Sequence, residues 1–193
     1  ALGFVKFYGD RDPAAAEQSY RRAIELNPSH ETAHHWLALA LSALGRHAEA
    51  VAEINVAKRL APDSTTIISA AGIVYFYNRQ YAEAEREAQQ ALKIDQGALS
   101  AIGLLRWSAI MRGDAESAFV HYQREKSFGG GAETVRSLVT LAQTQAGARQ
   151  TQEARSTLEK AFARPDFQKT AEANAFDLAC VYALLGDREK TLE

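Results

Sequence analysis

Residues 14–28 read AAAEQSYRRAIELNP, residues 48–62 AEAVAEINVAKRLAP, and residues 82–96 AEAEREAQQALKIDQ. Laid over one another, the three stretches start at 14, 48 and 82, a constant step along the chain. Ala16, Ala50, Ala84 and Ala118 follow that step, as do Ala23, Ala57 and Ala91, and Pro28 and Pro62. Tyr20, Ile54, Ala88 and Tyr122 hold a third position in the same register. Ahead of them stand Leu37-Ala38, Ala71-Gly72 and Leu105-Arg106, each followed three residues on by Leu41, Tyr75 or Ala109. A fixed period of this length means one supersecondary unit repeated and stacked on itself. Small residues recur where helix backbones approach closely, and apolar positions follow helical rather than strand spacing.

The pattern resembles the tetratricopeptide repeat family, whose unit carries a large residue, Leu-Gly, Tyr, then Ala, Phe, Ala and Pro in that order. The resemblance runs over nearly the whole chain. It implies an all-α fold, a right-handed superhelical solenoid of stacked antiparallel helix pairs. Six units are expected in a single array spanning residues 1–193. The first, residues 1–30, has a clipped first helix around ALGFVKFY and a second opened by Asp12-Pro13, an N-cap followed by proline at the first helical position. Units two to four occupy 31–64, 65–98 and 99–132. The fifth, 133–169, follows a looser junction at Gly129, Gly130 and Gly131, and the sixth, 170–193, breaks off early. With Ala1 in place of an initiating Met and an abrupt stop at Glu193, the array is expected to be part of a longer chain.

Composition narrows the class of partner. The 193 residues are 47% hydrophobic and 24% charged with net charge −2, the profile of a globular protein with a substantial core. Without a basic tract, neither nucleic acid nor an anionic membrane is the expected partner. The most apolar run, WLALALSALG at 36–45, is too short to span a bilayer, so membrane insertion is not expected. Cys180 is the single cysteine, which leaves the compartment open, with the cytoplasm favoured.

One motif points elsewhere. His30-Glu31-Thr32-Ala33-His34 spells the H-E-x-x-H of zinc hydrolases. The extended form of that motif needs Gly at 37 and His at 40, where this chain has Leu37 and Ala40. Glu53, on the companion helix, is expected to face away, and His34 takes the repeat's large-residue packing position. The motif is read as an accident of a repeat junction; no cofactor, metal or catalytic activity is expected. Cys180 reads as a structural thiol rather than a nucleophile, and the glycines at 129–131 lack the Lys-Ser/Thr of a phosphate loop.

Function is sought on the first helix of each unit. Second helices such as YAEAEREAQQALKID are charged and amphipathic, whereas between Ser64 and Asn78 the only ionisable side chains are Tyr75 and Tyr77. Between Ala98 and Met111 the only charge is Arg106. Core packing in unit three uses Ile68, Ala71, Gly72 and Tyr75, which leaves a second stripe at Ser69, Ile73, Phe76 and Tyr77. Unit two leaves His35, Leu39 and Ser42 there; unit four leaves Gly103, Trp107, Ile110 and Met111; Arg136 and Gln143 of unit five extend it. By the family resemblance these positions line a concave groove, with Phe76, Trp107, Ile110 and Met111 as its apolar patch. One subclass of the family grips a C-terminal carboxylate with Lys and Asn, but the corresponding positions here are His35, Leu39, Thr66, Ala70, Ser100 and Leu104. The implied partner is therefore an apolar or amphipathic protein segment. A second copy of the chain is a further candidate. The alternative reading is a regulatory or oligomerisation module, since AHHWLALALSALGR and FDLACVYALLGDREKTLE also resemble C-terminal repeats of bacterial multidomain regulators. Arg106, where small residues usually stand, and Glu125, in place of an expected alanine, either form a compensating ion pair or leave Arg106 to reach solvent.

Overall fold

The computed structural model describes residues 3, 5–9, 12–187 and 189–190. The described residues form a π-helical turn, Val5–Gly9, then ten α-helices, and no strand. In chain order these are α1 Pro13–Leu26, α2 Glu31–Ala43, α3 His47–Leu60, α4 Thr65–Tyr77 and α5 Tyr81–Ile94, then α6 Leu99–Arg112, α7 Ala115–Phe128, α8 Val135–Gly147, α9 Thr151–Phe162 and α10 Phe167–Leu185. Of the clipped helix expected around residues 1–8, residues 1, 2 and 4 lie outside the described set, and so do 191–193 at the other end.

Helix starts follow the capping chemistry of the sequence. The Asp12 carboxylate accepts a hydrogen bond from the Ala15 amide at 2.9 Å, ahead of Pro13. Asp114 does the same for Ser117 at 3.1 Å. Thr134 and Ser137 cap each other reciprocally at the start of α8. First helices end on one left-handed residue. Gly45, Gly113 and Gly186 take φ near +73 to +75°, and at the corresponding positions Arg79 and Arg149 are held at 59° and 62°. Glycine adopts this conformation without a Cβ clash; arginine does not.

The chain divides into two compact units, Ala1–Leu104 and Leu105–Glu193, with the boundary inside α6. In the first, α1 packs on α2, α2 on α3, α3 on α4 and α4 on α5, while first helices α2 and α4 also touch directly. Its core holds Leu37, Leu41, Ile54 and Val74, all at or below 1% exposure, with Ala16, Ala50, Ala57 and Ala71 where backbones close up. Gly72 is required by that closeness: a Cβ there would lie 2.5 Å from Leu104 Cδ2 and 3.1 Å from the Ala84 carbonyl. In the second unit, α8 packs on α9 and α10 around Val139, Leu158 and Val181. Helix α10 begins at Phe167, three residues ahead of the sixth unit's expected start at Thr170.

Candidate functional site

Helix α4 is the least amphipathic of the set. Ile67, Ile68, Ser69, Ala70, Ala71, Gly72 and Val74 are all buried, so neighbours cover most of its circumference. The uncovered side opens on a cleft of about 430 Å³ that lies wholly within residues 1–104. From α2 come His35, Trp36 and Leu39; from α4 come Thr65, Thr66, Ser69, Ala70 and Ile73. Asp95, Gly97 and Ala98 of the following loop and Leu99 and Ser100 at the start of α6 close the far side. The volume is in the range of specific ligand pockets.

Four residues assigned to the groove from sequence therefore meet: His35, Leu39, Ser69 and Ile73. Of the six positions that correspond to the carboxylate-gripping subclass, five line the same cleft; Leu104 instead packs on Gly72. Trp36 and the Asp95–Ala98 loop were not expected. Trp36 follows His35 in the chain and stacks on it, ring centroids 4.7 Å apart, so its indole turns with the histidine. The loop is brought in by the constant repeat step, which sets the junction between α5 and α6 beside the N-terminus of α4.

His35 is only 5% exposed, and burial pulls its imidazole down to about 4, so the ring is neutral at physiological pH. Asp95 is the only formally charged lining residue, and its Oδ1 already accepts the Gly97 amide at 2.8 Å.

The remaining groove positions fall elsewhere. Ser42 is buried, its hydroxyl unpaired. Phe76 is half-buried and makes edge-to-face contacts with Tyr77 and Tyr81, and Tyr77 is 49% exposed. Gly103 is partly exposed. In the second unit Trp107 is half-buried beside Ala109, Ile110, Ala118 and Leu184. Met111 and Arg136 are exposed. Besides buried Ser42, two assignments differ from what was expected. Ile110 is not on an open face: it is 6% exposed, and a Cβ on Gly147 would lie 2.5 Å from it. Gln143 is fully buried, and its amide donates to the Asp177 carbonyl at 3.0 Å and to the Asp177 carboxylate at 2.9 Å.

Arg106 and Glu125 form the ion pair. Arg106 Nε donates to Glu125 Oε2 at 3.0 Å, and Arg106 is 3% exposed, so it does not reach out to solvent. Its guanidinium also lies 5.4 Å from the Trp107 ring centroid.

The H-E-x-x-H residues do something other than converge. His34 is buried, with Nε2 3.0 Å from the Pro28 carbonyl and Nδ1 2.6 Å from Glu53 Oε2. Glu53 thus does not face away. It turns back across the helix pair because a buried imidazole needs a polar partner. Both ring nitrogens face oxygens of the chain rather than a shared metal position. Among the described residues no three His, Cys, Asp or Glu side chains come together in a metal-binding group. At Cys180 burial, followed by the Asp177 charge, pushes the thiol up, the opposite of an activated nucleophile. No helix among the described residues is long and apolar enough to cross a membrane.

In sequence, residues 6–65 match the tetratricopeptide repeat family model. Over those residues the chain carries the tetratricopeptide repeat pattern. No curated protein matches it in sequence. Among solved structures, a thermophilic tetratricopeptide protein of Thermus thermophilus is similar with TM-score 0.77 and 17% identity, covering 93% of this chain and 95% of that one. PilW, a widely conserved type IV pilus biogenesis factor, has TM-score 0.71 and 18% identity over 99% and 86% of the two chains. YrrB, a tetratricopeptide protein with an unusual peptide-binding site, has TM-score 0.55 and 21% identity over 91% and 88%. At these identities the likeness is one of fold. Proteins of this fold generally act as non-catalytic scaffolds that bring protein partners together, and the cleft lies on the first helices of the tetratricopeptide pairs.

Proposed function

We propose that the chain is a non-catalytic interaction module, one tetratricopeptide array over residues 1–193, which docks an apolar or amphipathic partner segment along its first helices. The observation that carries this reading is the cleft lined by His35, Leu39, Ser69 and Ile73 of α2 and α4. Its walls mix aliphatic side chains with a few polar groups, the usual make-up of a recognition site. Half-buried Phe76, also on α4, supplies further apolar contact. YrrB's peptide-binding site gives a precedent within the fold.

Fully burying one apolar anchor is worth about 1.5–3 kcal/mol. Two or three anchors, less the ordering of the segment, correspond to roughly micromolar affinity. The test is a partner recovered by proximity labelling in the source cell and then titrated against purified chain. Leu39→Ala, Ile73→Ala and Phe76→Ala should each weaken it with the helical circular dichroism intact; affinity unchanged by all three contradicts the reading.

A further inference from the structure

Leu26, Leu60, Ile94, Phe128 and Phe162 stand at one constant step along the chain, each the last residue of a second helix, α1, α3, α5, α7 and α9. All five are exposed, from 40% to 72%. A lone exposed leucine needs no explanation; a large apolar residue left open at the same position of five helices does. The first three lie within residues 1–104, where ion pairs tie their helices side by side. Arg46, at the start of α3, reaches Glu17 of α1 at 2.7 Å, and Lys58 of α3 pairs with Glu87 of α5. Leu26, Leu60 and Ile94 thus form a row along one edge of that unit. Exposed Pro28 and Pro62 continue the apolar surface into the junctions that follow α1 and α3. None of these residues lines the cleft.

We propose that this row is where two copies of the chain meet, antiparallel about a two-fold axis at Leu60, with Leu26 of each copy against Ile94 of the other. The repeat supplies the geometry. A row with one residue per repeat at equal steps matches itself when reversed, so three side chains on one copy meet three on the next.

Charge supplies the direction and the identity of the occupant. Glu25 stands beside one end of the row and Lys93 beside the other, while Arg59 and Asp63 flank its middle, all exposed. Among the described residues Arg59, Asp63 and Lys93 form no ion pair. Glu25 pairs with Arg22, but both side chains are more than 60% exposed, so that bond yields at little cost. Asp95, next to Ile94, is turned to the Gly97 amide. Antiparallel pairing sets Glu25 against Lys93 twice and Arg59 beside Asp63 twice; parallel pairing would set like against like at both ends. An edge with two charges of each sign suits a copy of itself better than a uniformly acidic or basic partner. The surface is small, so the dimer is weak, with a dissociation constant on the order of 100 micromolar.

The experiment is sedimentation velocity on the intact chain, from about 5 micromolar to about 1 millimolar. The expected result is a shift from monomer to dimer with concentration. Leu60→Glu sets two carboxylates together at the axis and should weaken the dimer by at least about tenfold, with helical circular dichroism unchanged. Glu25→Lys and Lys93→Glu should each weaken it as well. An equimolar mixture of those two single variants should recover it, because every end contact between unlike copies again joins opposite charges. Damage to the fold by either substitution would not be repaired by mixing, so the mixture decides the matter even if Leu60→Glu fails to fold. A chain that stays monomeric to about 1 millimolar, a dimer indifferent to Leu60→Glu, or a mixture no better than its components overturns the proposal. Each of these results leaves partner docking in the cleft in place, since Leu39→Ala and Ile73→Ala test that site separately.

Discussion

Helices α4 and α8 are both 13-residue first helices, and their inner stripes have opposite fates. Ile73 stands four residues before the end of α4, and Gln143 four residues before the end of α8. Ile73 lines an open cleft, while Gln143 is fully buried and bonded to Asp177 of α10. The wider neighbourhoods repeat the contrast. In residues 1–104 His35 and Ser69 line the cleft, and among the described residues neither side chain is hydrogen-bonded to another. In residues 105–193 the amide of Gln143 is committed to Asp177 and Arg106 is paired with Glu125. One register position can thus line an open cleft or be locked internally, and at Gln143 the residue one repeat further along, Asp177, does the locking.

The largest expected effect lies on the locked side. Glu125→Ala leaves Arg106 buried without its counter-charge, a change that costs about 3–5 kcal/mol. Urea denaturation should register it, and Arg106→Met on top should recover most of the loss. An effect below about 1 kcal/mol would place this pair with ordinary surface ion pairs. Gln143→Leu should cost less, about 1–3 kcal/mol, through the Asp177 groups left unpaired.

On the open side the sign should reverse. His35→Phe removes an unpartnered polar group, so stability at pH 7 should stay level or rise slightly. Acid should separate the two proteins. Folding holds the His35 ring neutral down to about 4, while the unfolded chain protonates it near 6.5. The unfolded state therefore takes up the extra proton between those values, and wild-type stability falls as pH drops from about 6.5 to about 4 and levels off below. The loss is on the order of 3 kcal/mol. Asp95, in the same cleft, and carboxylates elsewhere, such as Glu17 between Arg21 and Arg46, are common to both proteins, so the difference between the two pH profiles isolates His35. Parallel profiles would mean that His35 is already hydrogen-bonded or hydrated.

The smallest effect compares the two units at matched positions. Arg79→Gly and Arg149→Gly each relieve a left-handed arginine where neighbouring repeats carry glycine. Each should stabilise by about 0.5–1 kcal/mol in thermal melts. A loss instead would show that these arginines contribute contacts worth more than the strain.

The fold was legible because backbone contact demands small residues at fixed intervals. Ala16, Ala50 and Ala84 are all fully buried, and Gly72 has no room for a methyl group. The cleft was half legible. His35, Leu39, Ser69 and Ile73 could be named from the second stripe of an all-round apolar helix. The Asp95–Ala98 loop could not, because its place depends on how one hairpin meets the next. Gln143 misled for the same reason: its own helix does not say whether an Asp177 will cover it. Glu53 was taken to face outward on helix geometry alone, which leaves out the pull of a buried histidine such as His34.

The central claim is that the α2–α4 cleft is where a partner segment lies. Methyl NMR of the chain saturated with the partner recovered by proximity labelling tests it most directly. The account predicts that Leu39 and Ile73 methyl resonances shift on binding while those of Leu158 and Val181, in the core of residues 105–193, stay in place. Unmoved Leu39 and Ile73 in a saturated complex would contradict it.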